Sequence, residues 1–157
     1  IDLKKREVFN QPHMRELRRK QRLQQVFPKK DSKIELIIQD LLREKGIEFE
    51  KHKPIPGQPD LFIEPNICLE VDGDYTHANP RPYLRPHKSP KMEPGHKPDE
   101  IIHGKPAESI REKDRKITEA LIQLDNHVLR FWESELDATP EKCIQKIIKI
   151  IKEVRKN

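Results

Sequence analysis

Apolar residues recur with helical spacing over residues 32–45, where Ile34, Ile37, Ile38, Leu41 and Leu42 make one stripe. Ser32 ahead of the stripe is a favoured N-cap, and Gly46 behind it suits the left-handed turn that ends a helix. Residues 11–25 predict another helix, with little apolar face. The alternation in residues 47–53 (IEFEKHK) predicts a half-buried strand. Pro54-Ile55-Pro56-Gly57 then turns the chain, and short strands at 60–63 and 67–72, joined by Glu64-Pro65-Asn66, predict a β-hairpin. A helix follows over 108–124 with Ile110, Ile117, Leu121 and Leu124 on one face, then a strand at 127–132 (HVLRFW). Thr139-Pro140-Glu141 opens a last helix by the N-cap and first-turn proline rule, with Ile144, Ile147, Ile148, Ile151 and Val154 as its apolar face. This order predicts an α/β fold with a mixed central β-sheet flanked by helices.

One segment breaks the pattern. Residues 78–106 hold seven of the fourteen prolines, which argues against regular structure there. A loop that long in a compact domain is usually functional or disordered. It is expected to lie beside the site and to be poorly ordered until a ligand binds.

Composition narrows the class. Of 157 residues, 33% are apolar and 38% charged, so the core is small and one compact domain is expected. No run of about 18 apolar residues is present, so no membrane span is predicted. The first residues carry no apolar signal core, and Cys68 and Cys143 stand far apart without a CxxC spacing. Two reduced thiols in a cytoplasmic protein are expected. The first residue is Ile, not Met, which reads as a domain of a longer protein. The net charge of +5 is unevenly placed: residues 1–31 carry +6 and residues 32–157 carry −1. Residues 1–31 are therefore expected to be a basic arm suited to a phosphate backbone, which it would contact through Arg15, Arg18, Arg19, Lys20 and Arg22, on a nearly neutral body at 32–157. A solvated tail has the same charge signature.

The candidate chemistry lies in the hairpin. Alternate side chains of a strand share a face, so Ile67, Leu69 and Val71 point one way and Cys68, Glu70 and Asp72 the other. A turn centred on Pro65 sets Ile63 opposite Ile67, Leu61 opposite Leu69 and Asp60 opposite Glu70. Two carboxylates facing each other across a sheet repel. They are tolerated if a cation sits between them or one is protonated, and hard oxygen ligands with room for water favour Mg²⁺ or Mn²⁺. A different register with two solvated acids is the alternative.

Pro59-Asp60 followed by Glu70-Val71-Asp72 resembles the PD-(D/E)xK nuclease superfamily. SKIE (32–35), PGQPD (56–60), LEVDG (69–73) with His77, KDR (113–115) and VLRFWESEL (128–136) occur in the order seen in the very-short-patch repair (Vsr) endonucleases and Vsr-like homing endonucleases. The resemblance implies an α/β nuclease fold and Mg²⁺-dependent (or Mn²⁺-dependent) hydrolysis of DNA phosphodiester bonds. It implies Asp60, Glu70 and the Val71 carbonyl as metal ligands and His77 as the residue that activates or orients water. Glu35 would be a further site carboxylate, although Ser32-x-x-Glu35 is also a capping box. Asp114 would belong to the site or be a solvated helix residue. Asp72 occupies the usual lysine position, where it would bind a second metal or hold His77. Asp74 replaces a zinc-binding cysteine, so no structural zinc is expected, and His87, His96, His103 and Cys68 fit no zinc spacing. The aromatic wedge of the repair enzymes is absent, since residues 74–77 read Asp-Tyr-Thr-His. A homing endonuclease catalytic domain is expected; a restriction or repair nicking enzyme, an inactive nucleic-acid-binding module and an RNA nuclease are the alternatives.

Overall fold

A computed structural model describes residues 11–24, 31–85 and 92–156, with side chains in the first stretch as far as Arg18. Its elements are α1 (Pro12–Gln24), α2 (Lys33–Glu44), β1 (Glu50–Lys51), β2 (Leu61–Ile63), β3 (Ile67–Asp72), β4 (Tyr83–Leu84), β5 (Met92–Glu93), β6 (Ile101–Ile102), β7 (Lys105–Pro106), α3 (Ala107–Gln123), β8 (His127–Trp132), α4 (Glu133–Ala138) and α5 (Pro140–Arg155). The main sheet has the order β1-β2-β3-β8, with β1/β2 and β2/β3 antiparallel and β3/β8 parallel. It is the mixed α/β arrangement expected from the hydrophobic pattern.

Both faces of the sheet are covered. Ile67, Leu69, Val71, Leu61, Ile63 and Phe131 pack with Ile38 and Leu42 of α2, Leu136 of α4, and Ile144, Ile147 and Ile151 of α5. Each fully buried aliphatic side chain there contributes about 1.5–3 kcal/mol relative to exposure. On the opposite face Phe62 and Cys68 meet Leu121 and Ile117 of α3. Gly57 sits under that helix at φ +86°, and a Cβ there would lie 3.2 Å from Leu121, so the turn before the hairpin needs glycine for both reasons. Two faces, two coats of helices and a wholly buried β3 make a three-layer domain.

Several expectations change. The 47–53 strand contracts to Glu50–Lys51; Ile47 and Phe49 still pack on the core, but His52 turns out of the strand with φ +49°. Leu124 is not on the packed face of its helix: it forms the C-cap and is 53% exposed. Residues 133–138, to which no element is assigned from the sequence, form the short helix α4. Thr139 precedes Pro140 as expected, but its hydroxyl donates to the Glu135 carbonyl instead of capping α5.

The proline-rich segment is the largest correction. Its described residues form two small antiparallel ladders, β4/β5 and β6/β7, with Pro106 in a short strand, where a missing N–H is tolerated at an edge. Ala78, Ile102 and Ala107 make a small core with Ile110. The Arg111 guanidinium donates to the carbonyls of Ala78 (3.0 Å) and His96 (3.1 Å), and the His96 N–H donates to the Asn79 carbonyl. Gly95 is required at the crossing, because a Cβ would come within 2.0 Å of the Pro80 carbonyl oxygen. The segment is thus stitched onto α3 rather than irregular throughout; residues 86–91 and His87 lie outside the described residues.

Residues 1–10 and 25–30 of the basic arm, and the side chains of Arg19, Lys20 and Arg22, also lie outside the described residues. The helix expected over 11–25 is present as α1, with Arg15 exposed and Arg18 half-buried. Among the described residues no helix is long and apolar enough to cross a membrane. Cys68 and Cys143 are free and buried.

Candidate metal centre

The hairpin has the register inferred from its turn, with Leu61 paired to Leu69, Phe62 to Cys68 and Ile63 to Ile67. One step further out, Asp60 stands beside Glu70. Asp60 Oδ2 accepts the Val71 N–H at 2.9 Å, so Val71 is tied to this corner through its amide. Glu70 is only 8% exposed, and its Oε1 has no hydrogen-bond partner among the described residues. Burial, and next the Asp60 carboxylate, push the Glu70 pKa well above the usual carboxylate range. A buried acceptor without a donor costs about 1–3 kcal/mol, more when charged. A divalent cation between Asp60 and Glu70 satisfies that oxygen and removes the repulsion, so the donor set fits a hard cation such as Mg²⁺.

The parallel pairing of β3 with β8 brings Arg130 next to Glu70. Its guanidinium forks onto Asp72, Nε to Oδ2 at 3.0 Å and Nη2 to Oδ1 at 2.9 Å, and Nη1 donates to the Thr118 hydroxyl. Asp72 is therefore paired, and Arg130 sets a cation beside Glu70 from the neighbouring strand. The fork uses both Asp72 oxygens, which argues against Asp72 as a free second metal ligand. Asp72 does reach His77, at 3.5 Å from Nδ1.

His77 is not a lone loop histidine. Its Nδ1 lies 2.8 Å from Asp114 Oδ2, and this hydrogen bond raises its pKa above the ordinary value against the opposing effect of burial. Asp114 is accordingly no solvated helix residue: α3 carries it back against β3, where Arg130 Nη2 stands 3.6 Å from its other oxygen. Asp72, His77, Asp114 and Arg130 line a cleft of about 410 Å³ with Arg111, Arg115 and Trp132.

At the other edge, Glu35 does half of what its capping box predicts. Its N–H donates to the Ser32 hydroxyl at 3.2 Å, but its carboxylate is buried with Oε2 3.2 Å from His52 Nε2. Burial, and next the Asp60 carboxylate, raise the Glu35 pKa, so Glu35 and Asp60 feel each other. The same His52 nitrogen is 3.0 Å from Asp31 Oδ1.

Compared with models of known protein families and with curated proteins, the chain matches none.

The six expected site residues form one band. Glu35, Asp60 and Glu70 lie towards one end and Asp72, His77 and Asp114 towards the other, with Arg130 joining them. Among the described residues, two sets of three potential ligands have donor atoms within 4.8 Å of one another: Asp31, Glu35 and His52, and Asp72, His77 and Asp114. Asp60 and Glu70 are a pair outside both sets. Among the described residues Cys68, His96 and His103 form no ligand set: Cys68 is core, and His96 is held by the Tyr83 hydroxyl (2.9 Å) and the Glu100 carboxylate. Asp74 accepts from the Ser134 N–H (3.0 Å) and hydroxyl (2.7 Å) and from the Asn79 amide (2.9 Å), stapling α4 to the start of the insertion. Sequence reasoning missed Arg130, Arg111, His52 and Asp31. Arg130 stood in the VLRFW motif, yet only the β3/β8 register shows what it faces.

Proposed function

We propose that this chain is a divalent-metal-dependent DNA endonuclease domain of the Vsr-like, PD-(D/E)xK type. The observation that carries the reading is Glu70: a nearly buried carboxylate with an unpartnered oxygen, set against a second carboxylate, Asp60. A cation or a shared proton relieves such a pair, and a cation leaves both carboxylates charged and its own remaining positions open to a phosphate. Mg²⁺ or Mn²⁺ held by Asp60 and Glu70, with the Val71 carbonyl as the third protein ligand the resemblance implies, would supply Lewis-acid polarisation of a phosphate and a lower pKa for water.

The remaining chemistry comes from the chain. The hydrogen bond to Asp114 raises the His77 pKa against the opposing effect of burial and so favours the protonated ring, and Asp114 holds Nδ1. Nε2 is then the proton carrier for the leaving oxygen, a role better suited to a raised pKa than removal of a proton from water. Arg130, Arg111 and Arg115 around the cleft suit a phosphodiester. Arg130 takes the electrostatic part of the missing lysine, and Asp72 and Thr118 fix its plane. The basic arm suits nonspecific backbone affinity.

A catalytically silent nucleic-acid-binding module is the second reading, favoured by the acid at the lysine position. Incubation of supercoiled and linear DNA with Mg²⁺, Mn²⁺ or EDTA separates the two. Metal-dependent nicking or linearisation is expected; intact DNA under all conditions, with retained binding, selects the silent module.

A further inference from the structure

The cluster of Asp31, Glu35 and His52 lies beside the Asp60–Glu70 pair and differs from it in chemistry. His52 Nε2 faces two carboxylate oxygens at once, Asp31 Oδ1 at 3.0 Å and Glu35 Oε2 at 3.2 Å. One ring nitrogen carries at most one hydrogen, so it satisfies only one of them. Glu35 is the loser: the residue is 8% exposed, and Oε2, aimed at the ring, has no hydrogen-bond partner among the described residues. The other Asp31 oxygen, Oδ2, is tied to Lys51 Nζ at 3.0 Å, which orients the carboxylate with Oδ1 towards the cluster.

The two spacings from Nε2 match those of a metal ion's neighbouring ligands, and all three donor atoms lie within 4.8 Å of one another. Neighbouring ligands on a six-coordinate ion with bonds of about 2.1 Å stand about 3.0 Å apart. An ion in place of the shared proton binds Nε2 and both oxygens together and satisfies Glu35 Oε2. Magnesium keeps to oxygen ligands and water, whereas imidazole suits first-row transition ions.

We infer that Asp31, Glu35 and His52 form a second cation site that takes a first-row transition dication in preference to Mg²⁺, with Mn²⁺ as its paramagnetic probe. The site does not require that the chain cut DNA. Glu35, whose carboxylate feels the charge of Asp60, would link the two centres, and Mn²⁺ would occupy both where Mg²⁺ occupies one.

The test is pulsed electron paramagnetic resonance of the EDTA-stripped full chain titrated with Mn²⁺, which reports a directly bound imidazole nitrogen. The wild type is expected to show the nitrogen signal. His52→Asn is expected to lose it; asparagine tolerates the left-handed backbone at this position, so the fold is retained. His77→Gln is expected to keep the signal, which separates this cluster from the Asp72–His77–Asp114 set. Glu35→Gln is expected to raise the Mn²⁺ concentration at which the signal reaches half its maximum. Absence of a nitrogen signal in the wild type, its survival in His52→Asn or its loss in His77→Gln overturns the inference. If His52→Asn fails to fold by circular dichroism, an unshifted Glu35→Gln titration overturns it instead. The DNA cleavage assay is read separately: a chain that shows the signal and cuts nothing removes the nuclease reading and leaves this site standing.

Discussion

Replacing Asp60 by asparagine removes one charge from the hairpin and almost nothing else. The amide oxygen of the new side chain still accepts the Val71 N–H that Asp60 Oδ2 accepts at 2.9 Å, so the backbone tie survives. What disappears is the repulsion that helps to push Glu70 far from its ordinary pKa. In EDTA the variant is expected to be as stable as wild type or more stable, by about 0.2–1 kcal/mol, the size of a cross-strand pair. With Mg²⁺ the order reverses. A native-state ligand at a hundred times its dissociation constant stabilises by about 2.7 kcal/mol. For a domain of this size that raises Tm by about 5–10 °C. Wild type is expected to gain that increment and Asp60→Asn to gain little of it, while cleavage of supercoiled DNA is lost. Melting curves in EDTA and in Mg²⁺, run beside the cleavage assay, give all three readouts. A variant that cuts at the wild-type rate, or gains as much from Mg²⁺ as wild type, refutes the assigned pair.

Three further outcomes follow from the same geometry. Because the folded pKa of Glu70 is raised, the native state favours its neutral form; that contribution is complete below the ordinary value of 4.5 and is lost as pH rises through the folded value, so in EDTA Glu70→Gln should gain stability over wild type progressively with pH, and urea midpoints from about pH 4 to about pH 8 that keep a constant gap contradict this. Arg130→Met strands the buried Asp72 carboxylate and is expected to destabilise by about 3–5 kcal/mol, with partial recovery in the Arg130→Met/Asp72→Asn double variant; an unchanged melting temperature in the single variant removes the fork's structural role. Deleting residues 1–30 is expected to weaken DNA binding and flatten its salt dependence by about 0.9 in the log–log slope per lost phosphate contact, whereas an unchanged slope excludes the arm from the DNA interface.

The parts of the site that could be read from sequence are those fixed by local rules. Asp60 and Glu70 belong to one hairpin, whose turn and period-2 pattern set the register before any tertiary contact is known. Ser32, the α2 stripe and Gly46 were legible for the same reason. Arg130 was not, because a parallel pair has no turn to fix its register, and the fork on Asp72 depends on that register. His52 was hidden by its backbone: an alternating pattern places it on a strand face, and only the left-handed turn brings it to Glu35 and Asp31. The insertion was misjudged because prolines were counted as breakers, while Arg111, Asn79 and Gly95 supplied the crossing that lets short ladders form around them.

The β3/β8 pairing also sets an order of events as the chain folds. The β2–β3 hairpin closes over a three-residue turn and brings Asp60 and Glu70 together early. Arg130 arrives only after the insertion and α3 have been traversed and β8 has docked. Closing so long an excursion is slow but thermodynamically mild, since doubling a loop adds only about 0.6 kcal/mol of closure entropy. Until β8 docks, the acidic corner lacks its counter-ion and β3 shows an open edge to solvent. A chain in which β8 has not docked therefore carries the hairpin carboxylates but neither the Arg130 fork nor the cleft it lines.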